Sequence, residues 1–142
     1  DWRNDACDCA WNQASVRKGQ VCNGYWEVLV ERPGVYEFEL RRWPREAGHA
    51  LATGIDGDDI EWHREGVSER SRDHYTGGTA LPIRRACLEI TGHPLLSTDV
   101  APDDTAAVLK VELEPGPAHV QTWLTDGSNF SVGAYYVCVR RK

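Results

Sequence analysis

Apolar and polar residues alternate in several short stretches along the chain. Within residues 35–43, Tyr36, Phe38 and Leu40 fall on one side, and the charged residues between them fall on the other. A period of two is typical of an antiparallel strand with one buried face. Similar alternation, or a run of apolar residues, predicts further strands over residues 25–30, 81–90, 107–113, 119–124 and 134–140.

Turn-forming residues separate the predicted strands. Arg32-Pro33-Gly34 stands between residues 25–30 and 35–43, which predicts that these two strands form a β-hairpin. Pro115-Gly116-Pro117 predicts another turn, and residues 91–105 predict a loop. The sequence shows no stretch with the 3.6-residue period of a helix. The pattern as a whole predicts an all-β fold, an antiparallel β-sandwich that is jelly-roll-like.

Two segments lack this alternation. Residues 1–24 are rich in Asn, Asp and Gly and predict an N-terminal strap, with a short strand near residues 15–17. Residues 44–80 predict a long irregular insertion between strands, since they combine Pro44 with several glycines and mixed charges. With 142 residues, the chain has the length of a single domain, residues 1–142.

Charge and composition narrow the range of partners. The chain carries a formal net charge of −6, which disfavours binding to phosphate backbones and to anionic membrane surfaces. Its apolar runs fall well short of the roughly 20 residues that a membrane-spanning helix needs. We therefore expect no nucleic-acid partner and no membrane insertion.

Several segments are similar to one known family. The most specific are residues 34–44, Gly-Val-Tyr-Glu-Phe-Glu-Leu-Arg-Arg-Trp-Pro, and residues 133–137, Gly-Ala-Tyr-Tyr-Val. Residues 23–28, 77–83 and 120–124 match more weakly. Together these segments resemble the C-terminal β-sandwich accessory domain of bacterial arylsulfatase-like proteins. The resemblance implies the same fold and a secreted protein, either extracellular or periplasmic.

The resemblance implies no activity for this chain. The chemistry of that family belongs to a separate catalytic α/β domain, in a Cys-x-Pro-x-Arg or Ser-x-Pro-x-Arg motif whose first residue becomes formylglycine. None of the cysteines or serines of this sequence begins such a motif. We therefore expect a protein that is not an enzyme, but an accessory or binding module that contacts a glycan or a partner domain.

A structural, self-assembling extracellular subunit is the alternative function. The chain has five cysteines, an odd number, which leaves at least one thiol for an intermolecular bond. Exposed edges of the predicted sheets would provide a second route to a homo-oligomer.

Tryptophan residues are the candidates for glycan binding. The chain has six of them, and an exposed indole ring can stack on a pyranose while nearby polar groups bind its hydroxyls. Trp26 and Trp43 are predicted to lie in the core. The candidates form two groups, Trp123 with Gln121 and His119 on one outward strand face, and Trp62 with His63 and Tyr75 in the long insertion. For each tryptophan, capping the core or packing against the strap is the other interpretation.

The cysteines allow several pairings. Cys87 and Cys138 both fall on outward strand faces and would form a disulfide if their strands were neighbours. A link from Cys22 to Cys7 or Cys9 would tie down the N-terminal strap. These three cysteines could instead bind zinc with a histidine, although the Cys-x-Cys spacing disfavours this, and buried reduced thiols are a further alternative.

An acidic loop in the long insertion is a candidate calcium site. It places four carboxylates on a glycine-containing loop, those of Asp56, Asp58, Asp59 and Glu61. Calcium prefers such oxygen ligands, but the spacing does not fit an EF-hand. A solvated acidic turn is the alternative interpretation, and no other cofactor is expected.

Overall fold

The computed structural model describes Ala10, residues 12–57 and residues 77–142 of the chain. These residues form eight strands in two antiparallel sheets, which confirms the predicted all-β sandwich. The strands are β1 (Tyr25–Val30), β2 (Gly34–Arg41), β3 (Arg85–Ile90), β4 (Leu96–Asp99), β5 (Ala107–Leu113), β6 (Gly116–Thr125), β7 (Ser131–Val132) and β8 (Tyr136–Arg141). A short helix, α1 (Gln13–Lys18), and a 3-10 helix (Arg45–Ala47) accompany them. No helix in the described part of the chain is long and apolar enough to cross a membrane.

One sheet has five strands and the other has three. The order in the five-stranded sheet is β1-β6-β3-β4, and the short β7 also pairs with β6. The order in the three-stranded sheet is β5-β2-β8. β4 contacts β5, so the two sheets meet along that pair of edge strands. β1 and β8 are the opposite edges of the two sheets.

The predicted hairpin between residues 25–30 and 35–43 is wrong, because β1 and β2 belong to different sheets. β1 pairs along its whole length with β6, and β2 lies between β5 and β8. The turn at Arg32-Pro33-Gly34 therefore carries the chain across the core to the second sheet. Turn residues specify a change of direction, but the burial of apolar faces decides which strands pair.

Residues 13–18 form a helix, although the sequence pattern predicts a short strand near residues 15–17. The side chain of Asn12 accepts a hydrogen bond from the backbone N–H of Ser15 at 2.9 Å, which caps the first turn. Gly19 ends the helix in the left-handed conformation, with a φ of 67°. These two caps outweigh the strand preference of the β-branched Val16, whose side chain is buried.

Other strand boundaries also differ from the sequence-based prediction. β6 begins at Gly116, inside the predicted turn at residues 115–117. Pro117 is tolerated there because its missing N–H would point away from β1, as the N–H of His119 two residues later does, and the pairing of β6 with β3 begins only at Val120. β4 lies within the predicted loop at residues 91–105, where it pairs with β3.

The inward faces of the strands form one hydrophobic core, as the alternation predicts. Phe38 and Leu40 of β2, Leu88 of β3 and Leu109 of β5 are all buried. The described part of the long insertion adds Leu51, which is fully buried in the same core. Burying a side chain of this size contributes about 1.5–3 kcal/mol, so these positions supply much of the driving force for folding.

Arg42 ties the described ends of the long insertion to the sandwich. Its side chain is fully buried, and the guanidinium lies 4.3 Å from the ring centre of Trp43. The guanidinium donates hydrogen bonds to four backbone carbonyls, those of Val16, Arg17, Thr53 and Thr79. Burial lowers the pKa of Arg42 to about 10, which leaves the group charged at neutral pH. Trp43 is itself buried, which confirms its predicted core position.

Candidate functional site

The outward face of the five-stranded sheet carries three of the predicted glycan-binding residues. His119, Gln121 and Trp123 alternate along β6 and share that face. His119 is exposed and Trp123 is half-buried, but Gln121 is only 7% exposed. The structure therefore places the three side chains on one sheet face, on which Gln121 is buried.

Two residues of β1 extend this surface, and the sequence pattern did not single them out. The ring of Tyr25 stacks on the imidazole of His119, with 4.5 Å between the ring centres. The carboxylate of Glu27 lies 3.7 Å from Nε2 of the same histidine. The signal for these contacts is the register of β1 on β6, which places Glu27 opposite His119. We call Tyr25, His119 and Trp123 the aromatic face.

The remaining glycan candidates and most of the calcium candidates lie outside the described residues. This holds for Trp62, His63 and Tyr75 of the insertion, and for Asp58, Asp59 and Glu61 of the acidic loop. Asp56 is described and is exposed. Within residues 12–57 and 77–142, no group of three or more His, Cys, Asp or Glu side chains is placed to hold a metal ion. The calcium site and the second aromatic group therefore stay predictions.

The predicted disulfide between Cys87 and Cys138 is wrong. Cys87 lies on β3 in the five-stranded sheet, opposite Trp123, while Cys138 lies on β8 in the three-stranded sheet, opposite Glu39. The two thiols face outward on opposite sides of the sandwich, and both are free. Their strands are not neighbours, and that was the condition on which the pairing depended. Burial is the main cause that raises the pKa of Cys87, so its thiol is protonated at neutral pH.

The other cysteine predictions concern the N-terminal strap. Cys7 and Cys9 lie outside the described residues, whereas Cys22 is half-buried just before β1. A disulfide or a zinc site that joins Cys22 to them stays a prediction.

A wide concavity lies between the two sheets, where the edge strands β1 and β8 face each other. Its volume is about 560 Å³, and it is lined by the inward-facing residues of both edges and by the core behind them. We call this space, lined by Trp26, Val28, Tyr36, Phe38, Val137 and Val139, the open cleft. Its volume falls in the range of roughly 300–1,000 Å³ that is usual for ligand pockets.

Apolar side chains at the mouth of the open cleft are exposed although they point inward. Trp26 of β1 is 45% exposed and Val139 of β8 is 52% exposed. Trp26 is predicted to lie in the core, and it does occupy an inward position, but the sandwich does not close over it. Val28 beside it and Leu29 on the other side of β1 are exposed as well.

The tyrosines around the open cleft turn their hydroxyl groups away from it. The hydroxyl of Tyr36 donates to the carbonyl of Arg32 at 2.7 Å, and that of Tyr135 donates to the carbonyl of Gln20 at 2.8 Å. The hydroxyl of Tyr136 accepts from the side-chain amide of Gln13 at 2.5 Å. Because these polar groups already have partners, the rings present apolar surface to the cleft.

Both strands at the mouth of the cleft are sheet edges. Among the described strands, β1 pairs with β6 alone and β8 pairs with β2 alone. The outer N–H and C=O groups of such strands can accept an additional strand. The open cleft thus combines apolar side chains with backbone groups that can form a ladder.

Comparisons of this chain with protein-family models, with curated proteins and with solved structures find no match.

Proposed function

We propose that this chain is a non-catalytic accessory domain of a secreted protein and that it packs against a partner protein domain through the open cleft. The observation that carries the proposal is the exposure of Trp26, Val28 and Val139 on inward strand faces. The segments at residues 34–44 and 133–137 support the choice of partner, because the accessory domains that they resemble adjoin a catalytic α/β domain.

The energetics favour a protein partner at this surface. Covering one large apolar side chain contributes about 1.5–3 kcal/mol, and tryptophan is among the residues that most often dominate interface energies. Contiguous apolar patches on the surface of a monomer mark interaction sites more often than isolated apolar residues do. A segment of the partner that pairs with β1 or β8 would add main-chain hydrogen bonds.

The test is binding in trans between this chain and the domain that adjoins it in the natural gene product. We expect isothermal titration calorimetry to show a complex, and Trp26→Asp and Val28→Asp to weaken it by at least about tenfold. Val108→Asp is the matched control, because Val108 is equally exposed but lies on the outward face of β5. An adjoining domain that binds wild type and Trp26→Asp equally well contradicts the proposal.

A second copy of this chain is the competing occupant of the open cleft. Light scattering over a range of concentrations distinguishes the two, since self-assembly predicts a dimer or larger species that Trp26→Asp dissociates. A wild-type chain that assembles in this way, with no affinity for an adjoining domain, would replace the accessory function with the self-assembling one.

The aromatic face supports a second candidate function, recognition of a neutral glycan. The stacked pair of Tyr25 and His119 lies on the same strand face as Trp123, and carboxylates of Glu27 and Glu89 are close enough in register to bind sugar hydroxyls. Affinity gel electrophoresis in neutral polysaccharides tests it. Trp123→Ala is expected to abolish the retardation, whereas Trp26→Ala is expected to preserve it.

A further inference from the structure

The outward face of the three-stranded sheet carries a dense set of ion pairs. Lys110 of β5 and Arg140 of β8 stand opposite Glu37 of β2, one on each side. Arg140 Nη2 lies 2.5 Å from Oε1 of Glu37. Lys142 Nζ lies 2.8 Å from Oε2 of the same carboxylate, and Lys110 Nζ lies 3.6 Å from it. Three cations therefore share one carboxylate.

Glu39, two residues further along β2, is shared in the same way. Arg41 and Arg45 both pair with its carboxylate oxygens. Two further carboxylates border this surface, Glu112 on β5 and Glu46 beside Arg45 on the 3-10 helix. We call the surface formed by Glu37, Glu39, Lys110, Arg140, Lys142 and Arg45 the cationic face.

On this face the cations are more exposed to solvent than the carboxylates with which they pair. The side chain of Glu37 is 13% exposed, whereas those of Lys110 and Arg140 are 59% and 67% exposed. Hydrogen bonds from Lys142 and then from Arg140 lower the pKa of Glu37 to about 2, so this carboxylate stays ionised at neutral pH. The layer that meets solvent here is therefore positive, although the chain as a whole has a net charge of −6.

The two carboxylate oxygens of Glu37 cannot accept hydrogen bonds from all the N–H donors around them. An ammonium group carries three N–H donors and a guanidinium carries five. Several donors of Lys110, Arg140 and Lys142 therefore remain for an external anion. Arginine and lysine are the side chains that bind carboxylate groups and tetrahedral oxyanions most readily.

We propose that the cationic face binds a polysaccharide whose sugar residues carry anionic groups, either sulfate esters or carboxylates. Adjacent strands lie about 4.8 Å apart, so Lys110 and Arg140, which are two strand spacings apart, can contact different anionic groups of one chain. The cationic face lies on the outward side of β2 and β8, so this binding does not depend on docking through the open cleft.

A polysaccharide fits this surface better than a nucleic acid does. A single sugar chain is narrow enough to follow the row from Lys110 to Arg140. Duplex DNA carries one negative charge per about 1.7 Å of its axis and would bring many phosphates against the acidic remainder of the protein.

Affinity measurements with three polysaccharides test the proposal. We expect the chain to bind dextran sulfate or polygalacturonate at low ionic strength, to bind them more weakly at about 0.15 M salt, and not to bind unmodified dextran. The two anionic polymers distinguish sulfate esters from carboxylates. If the chain binds neither of the two anionic polymers at low ionic strength, the proposal is overturned.

Variants that are expected to change the affinity in opposite directions locate the binding site. Lys110→Gln combined with Arg140→Gln is expected to weaken binding about tenfold, and Lys142→Gln alone about threefold. Glu37→Gln is expected to tighten binding about threefold, because it removes the internal carboxylate that competes for the same donors. Arg84→Gln is the control, since Arg84 is an exposed cation just before β3 in the other sheet.

Circular dichroism and thermal unfolding establish that each variant is folded. If the double variant does not fold, Lys142→Gln and Glu37→Gln decide the question. Binding that is unchanged by Lys142→Gln, that is weakened by Glu37→Gln, or that is equally tight for duplex DNA overturns the proposal.

Discussion

The two sides of the space between the sheets, at β4 and β5 and at β1 and β8, differ in how far their apolar residues are shielded from solvent. Where β4 meets β5, Val100 and Ala107 are buried, and the backbone N–H of Leu51 donates to the carbonyl of Asp104 at 2.8 Å. Where β1 faces β8, Trp26 and Val139 point inward but are about half exposed. The same alternation of apolar residues thus produces one closed side and one open side.

Chain connectivity explains this difference. A short connection joins β4 directly to β5, and Leu51 of the long insertion is buried in the core close to it. β1 and β8 come from distant parts of the sequence, and no short connection joins them. In this sandwich the connection from β4 to β5 covers one side, whereas no connection among the described residues crosses the side between β1 and β8.

The largest effect on stability is expected from Arg42, which holds the insertion and α1 against the sandwich. Arg42→Ala removes four hydrogen bonds to backbone carbonyls, takes away the donor of the Thr79 carbonyl and opens a cavity, so we expect it to lower the free energy of unfolding by about 4 kcal/mol. Urea unfolding followed by tryptophan fluorescence measures this. A loss below about 1 kcal/mol would show that the anchoring hydrogen bonds contribute little.

Leu51→Ala is the next largest perturbation and tests the closed side directly. Leu51 is fully buried, so its truncation is expected to cost about 3 kcal/mol of unfolding free energy. Leu95→Ala is the control, because Leu95 lies just before β4 and is exposed. Equal losses of unfolding free energy for the two variants would contradict the conclusion that Leu51 is buried on the closed side.

Trp26→Ala tests the open side. In contrast to Leu51→Ala, it is expected to affect binding more than stability. Because Trp26 is about half exposed, we expect a loss of only about 1–2 kcal/mol in unfolding free energy, together with loss of binding to the partner domain. A loss of about 3–5 kcal/mol, as for truncation of a fully buried aromatic residue, would mean that this side is closed in solution.

The smallest effect concerns the ion pairs that join Glu37 of β2 to Arg140 of the edge strand β8 and to Lys142. The pKa of Glu37 falls from its ordinary value of 4.5 to about 2 in the folded chain. This carboxylate therefore contributes stability that is fully present above pH 4.5 and is lost as the pH falls toward 2. We expect Glu37→Gln to have a flatter stability profile than wild type in this range, measured by urea unfolding at each pH. Glu27→Gln, at an exposed position on β1, is the matched control.

The position of most strands could be predicted from the sequence, but their pairing could not. The side-chain period of two along β2, β3 and β5 depends on neighbouring residues, so Phe38, Leu88 and Leu109 identify the buried face without any tertiary information. The partner of β1 depends on residues about ninety positions away on β6, and the turn at residues 32–34 is compatible with either arrangement.

The candidate surfaces were only partly visible in the sequence for the same reason. Alternation along β6 was enough to place His119, Gln121 and Trp123 on one face, because all three belong to one strand. Tyr25 joins them only through the register of β1 on β6, and Cys87 and Cys138 are separated only because their strands enter different sheets.

By itself, the sequence determined which residues alternate, and therefore the all-β class and the inward side of the central strands. Only the tertiary structure decided which edges are covered, because coverage depends on where distant segments meet. Trp26 and Phe38 both occupy inward positions on a strand, yet only Phe38 is buried, since β2 has a neighbour on both sides and β1 has only one among the described strands.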